Sequence, residues 1–283
     1  MTEQQEGEHE VRPYKIMQRI EARVWTALAG IPVVLVLVAL GGVWFKAFCV
    51  LLAVIGLSEL ARAFKSSRDY GGARIIGEVA YPATIYAVCF GLSALWALGI
   101  LITLGVLAVL FGGREDFKIS LASLCSTLFC TLYVSLFALL PVLRSAPNGS
   151  NSPSSGAWFC LVLASVWTGD TLAYYGGKRF GKHLLSPLSP KKTREGFLIG
   201  LVAAILVAPV GAHFLGLPTS TAALLGLVVG LAAPTGDLLE SFFKRELGVK
   251  DLGILLPGHG GVLDRCDSLL FAAFAALLVL GAR

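Results

Sequence analysis

Apolar residues run along this chain in long blocks, broken by short polar segments. Blocks at 24–43, 46–64, 79–96, 98–112, 118–143, 157–175, 197–215, 221–243 and 267–282 are nearly free of charge. A bilayer-crossing helix needs about 20 predominantly apolar residues. The pattern therefore predicts an all-α, polytopic integral membrane protein of about nine transmembrane helices. The pair at 79–112 is barely divided, near Leu98 and Gly99, and the fourth block is short. The short alternating segments of a membrane β-barrel do not occur.

The polar segments orient the blocks. Residues 1–23 carry five Glu against four Lys and Arg, unlike a signal peptide or a basic presequence, and read as a polar cytosolic tail. With the N-terminus cytosolic, 20 of the 23 basic residues fall on inside segments, and Lys46, Arg144 and Arg283 fall outside. That asymmetry follows the positive-inside rule. It predicts a multi-pass protein of the cell (inner) membrane whose loops at 176–196 and 244–265 face the cytoplasm. The Ser-, Pro-, Gly- and Asn-rich stretch 144–156 reads as a flexible external loop. It divides an N-terminal transmembrane half, 24–143, from a C-terminal half, 157–283, which holds most of the chemistry.

Composition agrees. The chain is 56% hydrophobic and 14% charged, against about 25% charge in soluble domains. The net charge of +5 sits where positive-inside topology puts it, and no nucleic-acid partner is expected. Five of the six cysteines lie inside apolar blocks, where Cys acts as a small hydrophobe. No Cys-x-x-Cys occurs, so neither a disulfide framework nor a zinc site is expected.

Ionisable residues within membrane helices are costly and by default mark function. Glu59, near the cytosolic end of the second block, can reach the interface or pair with Arg62. Asp170 and Tyr174 share a face at i, i+4. Asp237, Glu240 and Ser241 fall at i, i+3 and i+4, so two carboxylates and a hydroxyl face one way. Such an oxygen-only set suits Mg²⁺, which takes one or two carboxylates plus substrate phosphates. Pairing with Lys244 or Arg245 is the alternative. Asp264 and Asp267 repeat the spacing at the entrance to the last block. Acids there are ordinary helix-dipole partners, but with Asp237 they make three converging carboxylates.

The segment "GGKRFGKHLLSPLSPKKTREG" holds Lys178, Arg179, Lys182, Lys191, Lys192 and Arg194. It suits anionic headgroups and phosphates. Gly176 to His183 is not a P-loop, because His183 stands where Ser or Thr should be and no strand precedes it. His259, among Gly258, Gly260 and Gly261, is open to a metal, phosphate or turn role.

These residues resemble the phosphatidate cytidylyltransferase (CDP-diacylglycerol synthase) family. The pattern reads Ser241, Lys244-Arg245, Lys250-Asp251, Gly253, Leu256-Pro257, His259-Gly260-Gly261 and Asp264-Arg265-Cys266-Asp267. "DTLAYYGGKRFGK" (Asp170–Lys182) and "SPKKTREG" (Ser189–Gly196) look like two further family segments. Cys266 departs from the aliphatic residue usual there.

The resemblance implies that CTP and phosphatidate are the substrates and CDP-diacylglycerol and pyrophosphate the products. It implies Mg²⁺ with a second cation such as K⁺, and a homodimer in the lipid bilayer. The implied catalytic residues are Asp237, Asp264, Asp267, Lys244 and Arg245, with Asp237, Glu240, Ser241, Asp264 and Asp267 at the metal. The implied substrate-binding residues on the first two segments are Asp170, Tyr174, Lys178, Arg179, Lys182, Ser189, Lys191, Lys192 and Thr193. On the third they are Lys250, Asp251, His259, Gly260, Gly261 and Arg265. A CTP-dependent polyprenol kinase is the enzymatic rival. An ion-coupled transporter is the rival outside enzymes, although its acids belong near the midplane.

Overall fold

The structure is a computed structural model and describes residues 28, 30–66, 85, 88–89, 125–126, 129–146, 156–253, 255 and 260–281. Nearly all of the expected span at 79–96, the expected span at 98–112, the tail 1–23, most of the 144–156 loop and His259 lie outside the described residues. The helices are α1 (Gly30–Leu40), α2 (Gly42–Ser66), α3 (Phe129–Arg144), α4 (Ala157–Phe180), α5 (Arg194–Leu215), α6 (Thr219–Glu246) and α7 (Leu263–Gly281). No strand forms among the described residues; Leu184 and Thr193 make an isolated antiparallel bridge.

Among the described residues, three stretches are long and apolar enough to cross a membrane by length and composition: Gly42–Phe64, Arg194–Leu215 and Thr219–Glu246. On α5, Leu198, Val202, Leu206, Val210 and Phe214 are all more than half exposed. A spacing of four keeps them on one slowly drifting face. An apolar stripe of that length turned away from the protein is a lipid-facing surface. The chain is a helical membrane protein.

Where α1 meets α2, Gly41 and Gly42 both take positive φ, of 59° and 50°. The break frees the Val38 carbonyl, which accepts from Arg144 Nε at the end of α3, at 2.9 Å. Phe129 on α3 lies 4.3 Å, ring to ring, from Phe243 near the end of α6. The N-terminal helices thus pack directly on the C-terminal ones.

Small residues let α4, α5 and α6 approach closely, as helices do where lipid supplies no hydrophobic drive. A Cβ on Gly200 of α5 would stand 2.7 Å from the Gly169 carbonyl of α4. Pro209 and Pro234 sit inside α5 and α6.

Two expectations need correction. The sequence pattern places the sixth span at 157–175, with a loop from 176. Instead α4 runs to Phe180 and carries Lys178 and Arg179 on its last turn. Gly176 and Gly177 are where α5 lies against α4: a Cβ on Gly176 would stand 2.5 Å from Ile199 Cδ1. Glu59 neither reaches the interface nor pairs with Arg62. It is fully buried, and Arg62 Nε donates to the Ser58 carbonyl instead.

Candidate functional site

The site forms where α6 crosses α7. A Cβ on Gly236 would stand 2.7 Å from the Asp267 carbonyl oxygen, so the two backbones nearly touch. The crossing sets Asp237 and Glu240 of α6 against Asp267 of α7. Carboxylate oxygens of these three residues lie within 4.8 Å of one another. Glu240 and Asp267 are buried and Asp237 is half-buried. Three anions this close repel strongly unless cations or donors intervene.

Two lysines intervene in part. Lys192 Nζ pairs with Asp237 Oδ2. Burial pushes the Lys192 ammonium below its usual range, against the fields of Asp170 and Asp267, which raise it. Lys244 Nζ lies 3.3 Å from Glu240 Oε1 and 2.9 Å from Asp264 Oδ1. Glu240 Oε2 is buried with no hydrogen-bond partner. A cluster of hard oxygen donors with one orphaned buried oxygen fits a hard divalent cation such as Mg²⁺.

Asp264 is bonded differently. Its oxygens accept from Lys244, from Leu252 N at 3.1 Å and from Gly261 N at 2.8 Å. These bonds tie the segments 247–253 and 260–262, together called the strap, to the first turn of α7.

Across the site stands the basic segment, which forms a short hairpin. Leu185 N donates to Lys192 O at 2.9 Å, and Arg194 N to His183 O at 2.9 Å. Thr193 caps α5, its Oγ1 accepting from Gly196 N at 3.1 Å. Glu195 closes the hairpin's base, accepting from Lys182 N at 3.1 Å and meeting His183 Nδ1 at 2.6 Å.

Between these parts lies a cavity of about 680 Å³. Asp170, Tyr174 and Lys178 of α4 line it, with Ser189, Lys191, Lys192 and Thr193 of the hairpin. Asp237, Asp264, Arg265 and Asp267 line it from α6 and α7. Its apolar flank includes Val166, Trp167, Val229 and Leu269. Three of the sequence segments that carry polar chemistry thus meet around one space.

Other expected site residues lie off the cavity lining. Arg179, Lys182, Arg245, Lys250 and Asp251 are exposed, and Ser241 is half-buried on α6. Gly260, with a φ of 87°, and Gly261 form the turn that leads into α7. Glu195 was not singled out from the sequence. Its signal was an acid two residues after a Thr cap, hidden in a segment read for its positive charge.

Residues 21–282 match the model of the Cytidylyltransferase family. The chain is 32% identical over 274 residues to a phosphatidate cytidylyltransferase of Synechocystis sp., covering 89% of this chain and 93% of that protein. It is 33% identical over 267 residues to the Staphylococcus aureus phosphatidate cytidylyltransferase, covering 89% and 95%. A Mycobacterium bovis phosphatidate cytidylyltransferase is 40% identical over 171 residues, covering 60% and 54%.

Proposed function

Because this chain belongs to the cytidylyltransferase family, we propose that it transfers CMP from CTP to phosphatidate, giving CDP-diacylglycerol and pyrophosphate. The observation that carries the reading is that Asp237 and Asp267, which lie close to the buried Glu240, line one cavity with Lys191 and Lys192 of the hairpin.

A phosphatidate phosphate oxygen attacks the α-phosphorus of CTP. The new P–O bond forms as the bond from the α-phosphorus to the β-bridging oxygen breaks, and pyrophosphate leaves. The nucleophile is already an anion, so the site needs positioning and positive charge more than a general base. Lys178, Lys191, Lys192 and Arg265 face the cavity and neutralise the triphosphate and the lipid phosphate. Trp167, Val229 and Leu269 give the lipid's glycerol and first methylenes an apolar flank. Lys244 holds Glu240 and Asp264 in place from behind.

Mg²⁺ held by Asp237, Glu240 and Asp267 would supply charge neutralisation at the phosphate oxygens. Nine crossings with the N-terminus and the site on the cytoplasmic side are supported by the Lys and Arg asymmetry. That orientation suits a reaction between a membrane lipid and a nucleotide in the cytosol.

The test is purified protein in detergent with Mg²⁺ and CTP. Pyrophosphate release that requires added phosphatidate supports the reading. No release in its presence defeats it.

A further inference from the structure

Glu59 is a fully buried carboxylate in the N-terminal half, away from the site's own elements. Its Oε1 accepts from Val262 N at 3.0 Å and its Oε2 from Leu263 N at 3.1 Å. These are two of the orphan amides at the start of α7. The amide before them, Gly261 N, is taken by Asp264. Two carboxylates from distant parts of the chain thus satisfy three consecutive amides, and the site acids follow at once at 264 and 267.

The contact is tightly enclosed. A Cβ on Gly261 would stand 2.5 Å from Glu59 Oε2, and one on Gly253 would overlap Oε1. Gly56, one turn before Glu59, packs on Leu263, where a Cβ would lie 3.0 Å from Leu263 Cγ. The two glycines of the strap are therefore the positions where its backbone closes over Glu59. A negative group at a helix N-terminus is also favoured by the helix dipole.

We propose that Glu59 is a positioning residue for the transfer reaction: it pins the first turn of α7 and so fixes Asp264 and Asp267 against α6. The proposal rests on the reading of those two acids as site residues. Glu59 itself touches no substrate, since its side chain is sealed from the cavity. It also gives the N-terminal half a stated part in the chemistry.

The test compares wild type with Glu59→Gln in the full chain, in detergent. Gln keeps the shape and one acceptor oxygen, but its amide group cannot accept the second N–H. A displacement of about 1 Å in a site can cost about 100-fold; a loosened turn should lower kcat about tenfold, with KM for CTP and phosphatidate changed less than about twofold. Amide hydrogen exchange across 260–268 should rise while that of α5 and α6 stays as in wild type. Glu59→Asp, which cannot span the gap, should behave like Glu59→Gln. Unchanged kcat, unchanged exchange at 260–268, or exchange raised along the whole chain would each overturn the proposal. If the wild type releases no pyrophosphate, the functional reading falls instead, and the exchange comparison alone decides whether Glu59 pins α7.

Discussion

Lys244 reaches Asp264 at 2.9 Å and so ties the last turns of α6 to the first turn of α7. The same ammonium lies 3.3 Å from Glu240. One cation therefore holds two buried acids, and both sides of the site depend on it.

Lys244→Met should leave Glu240 and Asp264 buried without their cation. Removing one partner of a buried pair costs about 3–5 kcal/mol; because Lys244 is 15% exposed, the lower end applies. Thermal unfolding in detergent should show the midpoint falling by several degrees, with activity lost. An unchanged midpoint would mean that solvent already screens the pair.

Asp267→Asn removes one of three crowded carboxylates at nearly constant shape. Repulsion in the metal-free protein eases, so its unfolding temperature should stay level or rise. Turnover should fall more than about 100-fold, as on losing a preorganised charge-stabilising group. Added Mg²⁺ should raise the unfolding midpoint of wild type through binding linkage and leave the variant unmoved. A variant that responds to Mg²⁺ like wild type would remove Asp267 from the cation site.

Lys192 faces the cavity from the hairpin and pairs with the half-buried Asp237. Lys192→Ala should raise the KM for CTP about tenfold, the cost of one charge-assisted hydrogen bond of roughly 1.4 kcal/mol. Stability should fall only modestly, because both partners are half-buried, at 32% and 28% exposed, and solvent at the rim of the pair screens part of its attraction. Steady-state kinetics at varied CTP reads this, and an unaltered KM would place the triphosphate elsewhere.

Gly200→Val should push α5 away from α4, because even a Cβ would lie 2.7 Å from the Gly169 carbonyl. The crossing carries the cavity wall, so stability and activity should fall together. Leu206→Ala, on the lipid-facing stripe, serves as the control and should leave both nearly intact.

The helices of the C-terminal half and the spacing of Asp237 and Glu240 were legible because helical periodicity is local. So was the basic character of the hairpin. The continuation of α4 through Gly176-Gly177 was not legible, because the packing of Ile199 that uses these glycines is a tertiary contact. Glu59 was legible as a costly buried acid but not in its partners, which lie more than two hundred residues away. Asp264 and Asp267 looked equivalent at i, i+3. The amides of Leu252 and Gly261 that set Asp264 apart come from a strap whose path no periodicity encodes.

The central claim is that the phosphorus atom transferred is the α-phosphorus of CTP. Purified protein should be given Mg²⁺, phosphatidate and CTP labelled at either the α- or the γ-phosphorus, and the extracted lipid counted. The account predicts label in the lipid from α-labelled CTP, with γ-label recovered entirely in pyrophosphate. Lipid labelled from the γ-position, or from neither, would contradict it.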